Sequence, residues 1–284
     1  MTDVRPILDA LVGVTPAIRE ELRMVSKTEK LTSENPSGDA QSAVDLGIDR
    51  RIRDQLAPLD VVGAFASEER EAVEDVGDGF SVAVDPLDGS SNLRSNNIVG
   101  TVVGVYDAPF PASGRDLVAS AFLLYGPLTT MTAAVDGEVT RYTIDDGTIV
   151  DSDPVVFPDE DEICGFAGAT NEWLDPIKEF WEDLNYEHKL RYTGAMVGDV
   201  DHLLVDGGLL GYPERSSSPN GDLRLQYEAN PIAHIVETAG GRSSTGHGSI
   251  LDSDPGDLHQ HVPAYFGSAD LIATVENHRE PRSG

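Results

Sequence analysis

Residues 80–91, FSVAVDPLDGSS, limit what this chain can fold into more than any other segment. Apolar residues alternate along FSVAV with the period of a β-strand. The run ends at Asp85, and Pro86 and Leu87 separate it from a second acid, Asp88. Gly89, Ser90 and Ser91 follow. A lone carboxylate buried at the end of an apolar strand costs on the order of several kcal/mol. Carboxylates repel anions, whereas the backbone N–H groups of a small-residue loop attract them. A metal cation held between the two reconciles them.

Acids dominate the rest of the chain as well. Among 284 residues, 50 are Asp or Glu and 20 are Lys or Arg, a formal net charge of -30. Only four of the bases are Lys and 16 are Arg. Self-repulsion at this charge destabilises a compact state at low ionic strength. Molar salt, with a Debye length of about 3 Å, removes most of that penalty. The acids are spread along the whole chain, so we expect a protein of a halophilic cytoplasm. The same charge argues against nucleic acid or an anionic membrane as a partner. The length suits two domains and a sizeable core. A single cysteine, Cys164, excludes intrachain disulfides and a cysteine-based zinc site, and within ICGFAGA it reads as a buried, inert thiol. MTDVRPILDALVGV has no cationic apolar leader, and no apolar run approaches the ~18 residues of a membrane span. The expectation is a soluble, cytoplasmic protein.

Helical spacing runs over residues 5–31, through Ile7, Leu8, Leu11, Ile18, Leu22 and Val25, and a second helix is expected from about Ala40 to Leu56 on the stripe Val44, Ile48 and Ile52. Strands are expected at 61–66, 80–85, 98–106, 117–124 and 129–135, with a tight Asp-Gly hairpin in VDGEV. Residues 140–162 are rich in Asp, Pro and Gly, and the stretch DGTIVDSDPVVFPDEDE is the best candidate for a domain boundary, dividing the chain into 1–158 and 159–284. The two DSDP segments, at 151 and 252, read as turns. Helices follow at 175–184 and 196–204, then a strand in GLLGYP and a helix in ANPIAHIVETAGG ended by Gly240.

Four acidic clusters stand out: Asp39 and Asp45 in GDAQSAVD; Glu68 and Glu69 in SEE, just after an expected strand; Asp85 and Asp88; and Glu228 in QYEANP, before a helix. Any one of them has a bland reading as solvated surface or, for Asp39, as a helix N-cap. Asp85, Asp88 and the Gly-Ser-Ser together do not. Hard oxygen ligands from several carboxylates suit Mg²⁺ or Mn²⁺. Two such ions about 3.5–4 Å apart clamp a phosphoryl group and lower the pKa of an attacking water. The N–H groups of Gly89, Ser90 and Ser91 suit a phosphate's outer oxygens. GxxxxGK[ST], the phosphate loop of nucleotide triphosphatases, is absent. The residues therefore point to metal-assisted hydrolysis of a phosphate monoester.

DPLDGSSN resembles the signature of class I fructose-1,6-bisphosphatases, within a wider superfamily of Mg²⁺-dependent, Li⁺-sensitive phosphatases. GDAQSAVD, SEE, RYTGAMVGDVDHLLVDGGLLGYP, LRLQYEANPIAHIVETAGG and GDLHQHVPAYFGS resemble the family's other segments in order, over nearly the whole chain. Inositol monophosphatases typically carry Thr after DG and a Trp-Asp pair near the C-terminus, whereas this chain has Gly89-Ser90-Ser91 and Tyr227-Glu228. Sedoheptulose-bisphosphatases share the branch.

The resemblance implies a layered α-β-α-β-α sandwich (α/β), two or three Mg²⁺ or Mn²⁺ ions, a homo-oligomer (dimer or tetramer), and hydrolysis of D-fructose 1,6-bisphosphate to fructose 6-phosphate by a metal-activated water. Glu68, Asp85, Asp88, Glu228 and the Leu87 carbonyl would hold metal. Glu69 would activate the water with Asp39, and Asp45 would position it. Ser90 and Ser91, with Gly89, would cradle the 1-phosphate. Asn171, Tyr192, Tyr212 and a neighbouring subunit's Arg191 would take the 6-phosphate, with Met196 against the sugar. Departures are clear. Asp222 stands where the family has a lysine, leaving Arg191, Arg215 and hydroxyls for the 6-phosphate. Gly79-Phe80 replaces the Lys-Tyr pair that regulated members use for AMP, so little or no AMP inhibition is expected.

Overall fold

The structure, a computed structural model, describes residues 3–24, 33–34, 40–41 and 43–279. Helices α1 (Arg5–Met24) and α2 (Ala43–Leu56) pack together as the outermost layer. Beneath them lies a sheet of eight strands: β1 (Val62–Ser67), β2 (Glu74–Asp75), β3 (Phe80–Asp88), β4 (Gly100–Tyr106), β5 (Leu117–Tyr125), β6 (Thr129–Val135), β7 (Glu138–Asp145) and β8 (Thr148–Pro154). Their order is β8-β7-β6-β5-β4-β3-β1-β2, antiparallel except for β1 beside β3. The second sheet has five strands: β9 (Ile163–Phe166), β10 (Lys189–Leu190), β11 (Gly208–Tyr212), β12 (Arg242–Ser244) and β13 (Ala264–Gly267), in the order β10-β9-β11-β13-β12. Helices α4 (Met196–Asp206) and α5 (Asn230–Ala239) fill the space between the sheets, and α3 (Asp175–Glu187) and α6 (Ala269–Arg279) cover the far face of the second.

Three cores hold these layers apart. Ile7, Leu11, Ile48 and Ile52 meet Val82, Val84 and Val103 in the first. Ala83, Val102 and Phe122 meet Val200, Ile232, Leu210 and Phe266 in the second, which draws on both sides of position 158. Cys164, Phe166 and Leu209 meet Ile177, Phe180 and Val275 in the third. The chain is the α-β-α-β-α sandwich expected. Period-2 geometry explains β3 within it. Val82 and Val84 face α1 and α2, whereas Ala83 joins the middle core, and Asp85 shares the parity of Ala83. Burial of the Cys164 thiol pushes its pKa up to about 11, consistent with an inert side chain.

Several expectations need correction. Helix α1 is described to Met24, and 25–31 lie outside the described residues. Helix α2 begins at Ala43, because Ala40–Gln41 pairs with Ser33–Glu34 as a two-stranded ladder. Strand β3 continues to Asp88 through an irregularity between Asp85 and Asp88. The Asp- and Gly-rich stretch from 140 is largely strand. Asp146-Gly147, at φ 46° and 72°, turns β7 into β8, repeating the Asp136-Gly137 hairpin foreseen in VDGEV. DSDP at 151 is therefore edge strand and not a turn. Its outer side faces solvent, where Asp and Pro lose no ladder bonds.

Candidate active site

Two parallel neighbours deliver the first carboxylates. In the β1–β3 register Ser67 stands opposite Val84, so Glu68 and Asp85 leave the two strands side by side, and the Glu68 N–H donates to the Val84 carbonyl at 3.0 Å. Asp85 accepts the Leu87 N–H at 3.0 Å, which closes a tight turn over Pro86, and Thr101 Oγ1 donates to the Pro86 carbonyl at 2.8 Å. Glu228 arrives from the opposite side on a π-helical turn, Leu225–Ala229, that leads into α5. Such widened turns occur mostly at functional sites. Gln226 anchors the turn: its side chain bonds both the N–H and the carbonyl of Ala112, and its own carbonyl accepts the Tyr106 hydroxyl at 2.8 Å.

Carboxylate oxygens of Glu68, Asp85 and Glu228 thus lie within 4.8 Å of one another, all three residues buried. Burial, and then the charges of Glu68, Glu228 and Asp88, push the Asp85 pKa well above the ordinary carboxylate value, and Arg224 opposes them. Arg224 bridges the cluster, with Nη2 2.9 Å from Glu68 and Nη1 3.3 Å from Glu228, whose Oε2 also accepts the Arg224 N–H at 2.7 Å. Among the described residues, three buried carboxylates face one guanidinium, which leaves a deficit of positive charge. Hard oxygen donors around such a deficit fit a divalent cation.

Asp88 sits beside this group and turns toward α4, where its Oδ2 accepts the Val197 N–H at 2.8 Å. Desolvation raises its carboxyl to about 7, against the pull of the Val197 and Met196 N–H groups. Gly89 then adopts a left-handed conformation, φ 74°, and opens a 3₁₀ turn over Ser90–Ser95. Only glycine fits there, since a Cβ would lie 2.4 Å from the Ala195 Cβ. The ladder of that turn starts with Asn92 N–H on the Gly89 carbonyl, so it leaves the N–H groups of Ser90 and Ser91 unused. Asn92 backs the turn by donating to the carbonyls of Ile98 and Thr193 at 2.9 and 3.0 Å.

Glu69 is half-buried one residue beyond Glu68, and its N–H donates to Ser67 Oγ at 3.2 Å. Asp45 is buried in the first turn of α2, a helix that packs on β3. Asp39 lies outside the described residues. The residues expected at the 6-phosphate are more dispersed. Met196 is buried at the start of α4. The Tyr212 hydroxyl donates to Asp199 Oδ2 at 3.0 Å. Tyr192 is 51% exposed. Asn171 is exposed in the 3₁₀ turn Thr170–Glu172. Arg191 is exposed beyond β10 at the sheet edge, and its Nη1 donates to the Leu190 carbonyl.

Sequence reasoning missed four residues that support this geometry. Asp49 binds Arg70, the residue after Glu69, at 2.7 Å. Arg224 bridges Glu68 and Glu228. Asp199 Oδ1 accepts the Thr193 N–H at 2.6 Å while Oδ2 holds Tyr212. A signal existed for two of them: Asp49 lies four residues after Asp45 beside the buried stripe of α2, and Arg224 lies four before Glu228.

Known proteins resemble the chain throughout. The family model described as the fructose-1,6-bisphosphatase N-terminal domain matches residues 2–150, and the corresponding C-terminal domain matches 157–280. The class 1 fructose-1,6-bisphosphatase of Halobacterium salinarum is 45% identical over 274 residues, 95% of each chain. That of Natronomonas pharaonis is 45% identical over 276 residues, covering 95% of this chain and 96% of the relative. The holo crystal structure of Leishmania major fructose-1,6-bisphosphatase superposes with a TM-score of 0.91 at 28% identity, over 97% of this chain and 94% of the other. A putative sedoheptulose-1,7-bisphosphatase from Toxoplasma gondii superposes with a TM-score of 0.87, also at 28% identity, over 98% and 94%. With both family models and these relatives spanning nearly its full length, the chain belongs to the fructose-1,6-bisphosphatase family.

Proposed function

We propose that this chain hydrolyses the 1-phosphate of D-fructose 1,6-bisphosphate, giving fructose 6-phosphate and phosphate. The convergence of Glu68, Asp85 and Glu228 within 4.8 Å, one loop away from the Gly89–Ser91 turn, carries the reading. Two or three Mg²⁺ or Mn²⁺ ions would be held by Glu68, Asp85, Asp88 and Glu228 with the Leu87 carbonyl, and Asp39 would serve the most mobile. When bound, the metal supplies positive charge to the phosphoryl oxygens and acidifies water. The chain's own groups do the rest. Ser90 and Ser91 N–H groups hold the non-reacting phosphate oxygens. Glu69, assisted by Asp39 and positioned with Asp45, takes a proton from the attacking water. The water oxygen adds to phosphorus, the bond from phosphorus to the sugar oxygen breaks, and that oxygen takes a proton from solvent water, so the sugar leaves as an alcohol. Asn171, Arg191, Tyr192, Met196 and Tyr212 line the sugar side, Arg191 from a neighbouring subunit of a dimer or tetramer.

In this reading residues 1–158 form the unit carrying most metal ligands and 159–284 the sugar-phosphate unit, and the enzyme works in a halophilic cytoplasm. Its acidity and its haloarchaeal relatives support that setting. No described helix is long and apolar enough to cross a membrane. Hydrolysis of sedoheptulose 1,7-bisphosphate is the second reading, favoured by the likeness to the Toxoplasma protein. Phosphate release in molar KCl with Mg²⁺, measured across the two bisphosphates and inositol 1-phosphate, separates the readings. Fructose 1,6-bisphosphate should be turned over fastest and only without chelator. Full activity in excess EDTA, or preference for another of the three, would sink the proposal.

A further inference from the structure

Arg19 breaks a pattern that the other sheltered arginines keep. Among the described residues Arg53, Arg70, Arg141, Arg215 and Arg224 are also buried or half-buried, and each is paired with a carboxylate. Arg19 is half-buried in a chain of 50 acids, yet no carboxylate oxygen of a described residue lies within 4.0 Å of its nitrogens. Its partners are neutral. Nε donates to Thr129 Oγ1 at 2.9 Å and Nη2 to the Gly126 carbonyl at 2.7 Å, and the guanidinium lies over the Tyr125 ring, 5.8 Å from its centroid. These bonds fasten α1 to the turn between β5 and β6. They leave the Nη1 donors unused. Arg23 stands one helical turn on, exposed and likewise without a carboxylate, at a spacing where like charges cost stability. Burial, with Arg23 adding to it against the pull of Tyr125, lowers the pKa of the Arg19 guanidinium.

Both arginines line one cavity of about 730 Å³, a volume typical of small-ligand sites. Helix α1, the Gly126–Thr129 turn and the β7–β8 hairpin are its walls. The hairpin leans on the helix, for a Cβ on Gly147 would lie 3.2 Å from Pro16 Cγ. The two ends of the cavity differ in chemistry. Arg19 and Arg23, at the helix, suit a phosphate, which guanidinium groups take through planar, two-pronged contacts. Thr143, Asp145 and Asp146, at the hairpin, accept hydrogen bonds from hydroxyl groups. No aromatic side chain is among the described residues lining the cavity, so a nucleobase has nothing to stack on.

The cavity is joined to the carboxylate cluster through the sheet. Thr101 Oγ1 donates to the Pro86 carbonyl at 2.8 Å, between Asp85 and Leu87. The Tyr125 hydroxyl, 3.0 Å from the same Oγ1, is therefore the donor to Thr101. Tyr125 and Thr101 are both buried. Arg19, Tyr125, Thr101 and Pro86 thus form one contiguous chain of contacts, the kind of path that carries coupling between sites.

From the Arg19–Arg23 cavity we propose an effector site for a small phosphate monoester whose organic part carries hydroxyl groups. The phosphate takes Arg19 Nη1 and Arg23, and the hydroxyls face Asp145 and Asp146. Occupancy holds Arg19 over Tyr125, steadies the turn at Pro86 and so tightens the binding of Mg²⁺ by the carboxylates beside it. The site does not depend on which phosphate ester the enzyme hydrolyses.

The test titrates glycerol 3-phosphate into the protein in molar KCl by calorimetry, and follows an Mg²⁺ titration by melting temperature with and without that probe. The wild type should bind the probe in EDTA. Arg23→Met, at an exposed side chain, should weaken binding by about tenfold and Arg19→Met by more, as lost charge-assisted contacts do. Inorganic phosphate should bind about tenfold more weakly than the probe, for want of the hydroxyl contacts. Saturating probe should lower the Mg²⁺ concentration for half-maximal stabilisation by about fivefold or more, and Mg²⁺ should tighten the probe by the same factor. Tyr125→Phe keeps the ring under Arg19 and removes the hydroxyl, so it should retain binding and lose that coupling. Equal probe binding in the wild type and the arginine variants would put the probe at the Gly89–Ser91 turn and overturn the site; Arg23→Met decides this alone if Arg19→Met does not fold. Inorganic phosphate binding as tightly as the probe would overturn the ligand class. An Mg²⁺ dependence unmoved by the probe would overturn the effector role.

Discussion

Asp49 and Arg70, 21 residues apart, are joined by a two-pronged ion pair: Arg70 Nη2 and Nε lie 2.7 and 3.0 Å from Asp49 Oδ2. The guanidinium also lies over the Phe65 ring, 5.6 Å from its centroid. Arg70 directly follows Glu69, so this pair fastens helix α2 to the loop that presents Glu68 and Glu69, the proposed metal ligand and the proposed base. Asp49→Ala should lower kcat by about ten- to a hundredfold, because an ångström of displacement at the reacting centre is costly. It should destabilise the fold by only ~1–2 kcal/mol, since Arg70 keeps access to water. Arg70→Lys should not restore the rate, for an ammonium cannot reproduce the planar fork. Kinetics and thermal melts together check this; a loss of stability with kcat intact would contradict it.

Stability should depend on pH through Asp88. Its folded carboxyl is held up at about 7 against an ordinary 3.8. Between those values the folded chain binds a proton that the unfolded chain has released, so this contribution is complete below 3.8 and is lost as pH rises through about 7. The melting temperature in EDTA should therefore be lower at about pH 8 than at about pH 5.5, and by a wider margin in the wild type than in Asp88→Asn. Added Mg²⁺ should stabilise the wild type more at the higher pH, where its ligands are ionised. Equal pH dependence in both proteins would refute the assignment.

Glu69→Gln should lower kcat by about 10²–10⁴-fold, the usual worth of a positioned general base. The Mg²⁺ concentration for half-maximal stabilisation should change little, because Glu69 is not one of the three converging carboxylates. A metal titration followed by melting temperature, alongside phosphate release, tells a base from a ligand.

The net charge of -30 implies dependence on salt. A melting series in KCl should show a steep rise in Tm up to molar concentrations, where the Debye length falls to about 3 Å. Full stability in dilute buffer would show that self-repulsion is not a controlling term.

Gly79 bears on regulation. A Cβ at this position would lie 2.3 Å from the Val61 carbonyl oxygen, and one at Gly63 would lie 2.6 Å from the Gly79 nitrogen. Gly79→Lys should therefore destabilise the protein by a few kcal/mol (on the order of an overpacked core site) and should not create AMP inhibition. Activity of the wild type should be unchanged by AMP at micromolar concentrations; potent inhibition would contradict the reading.

Legibility in the sequence followed chain distance. Asp85, Asp88 and the Gly-Ser-Ser are contiguous, so their chemistry shows in one segment. Both Asp-Gly hairpins carry the same local signal, yet Asp146-Gly147 read as a linker because the residues after it are Asp and Pro. Those residues are tolerated because β8 is an edge strand, a fact of sheet order invisible along the chain. Asp49 and Arg70 are ordinary charges in a chain full of them until the fold sets one against the other.

Sequence alone determined the period-2 run into Asp85, the helical stripes, the hairpin at Asp136-Gly137 and the excess of acid, because each depends on neighbours in the chain. Only the tertiary structure decided which carboxylates converge. Glu68 and Asp85 meet because β1 and β3 are parallel and in register, and Glu228 joins them because a π-turn between the sheets points it inward. The same holds for charge: the sequence counts Arg215 and Asp222 separately, whereas folding pairs them.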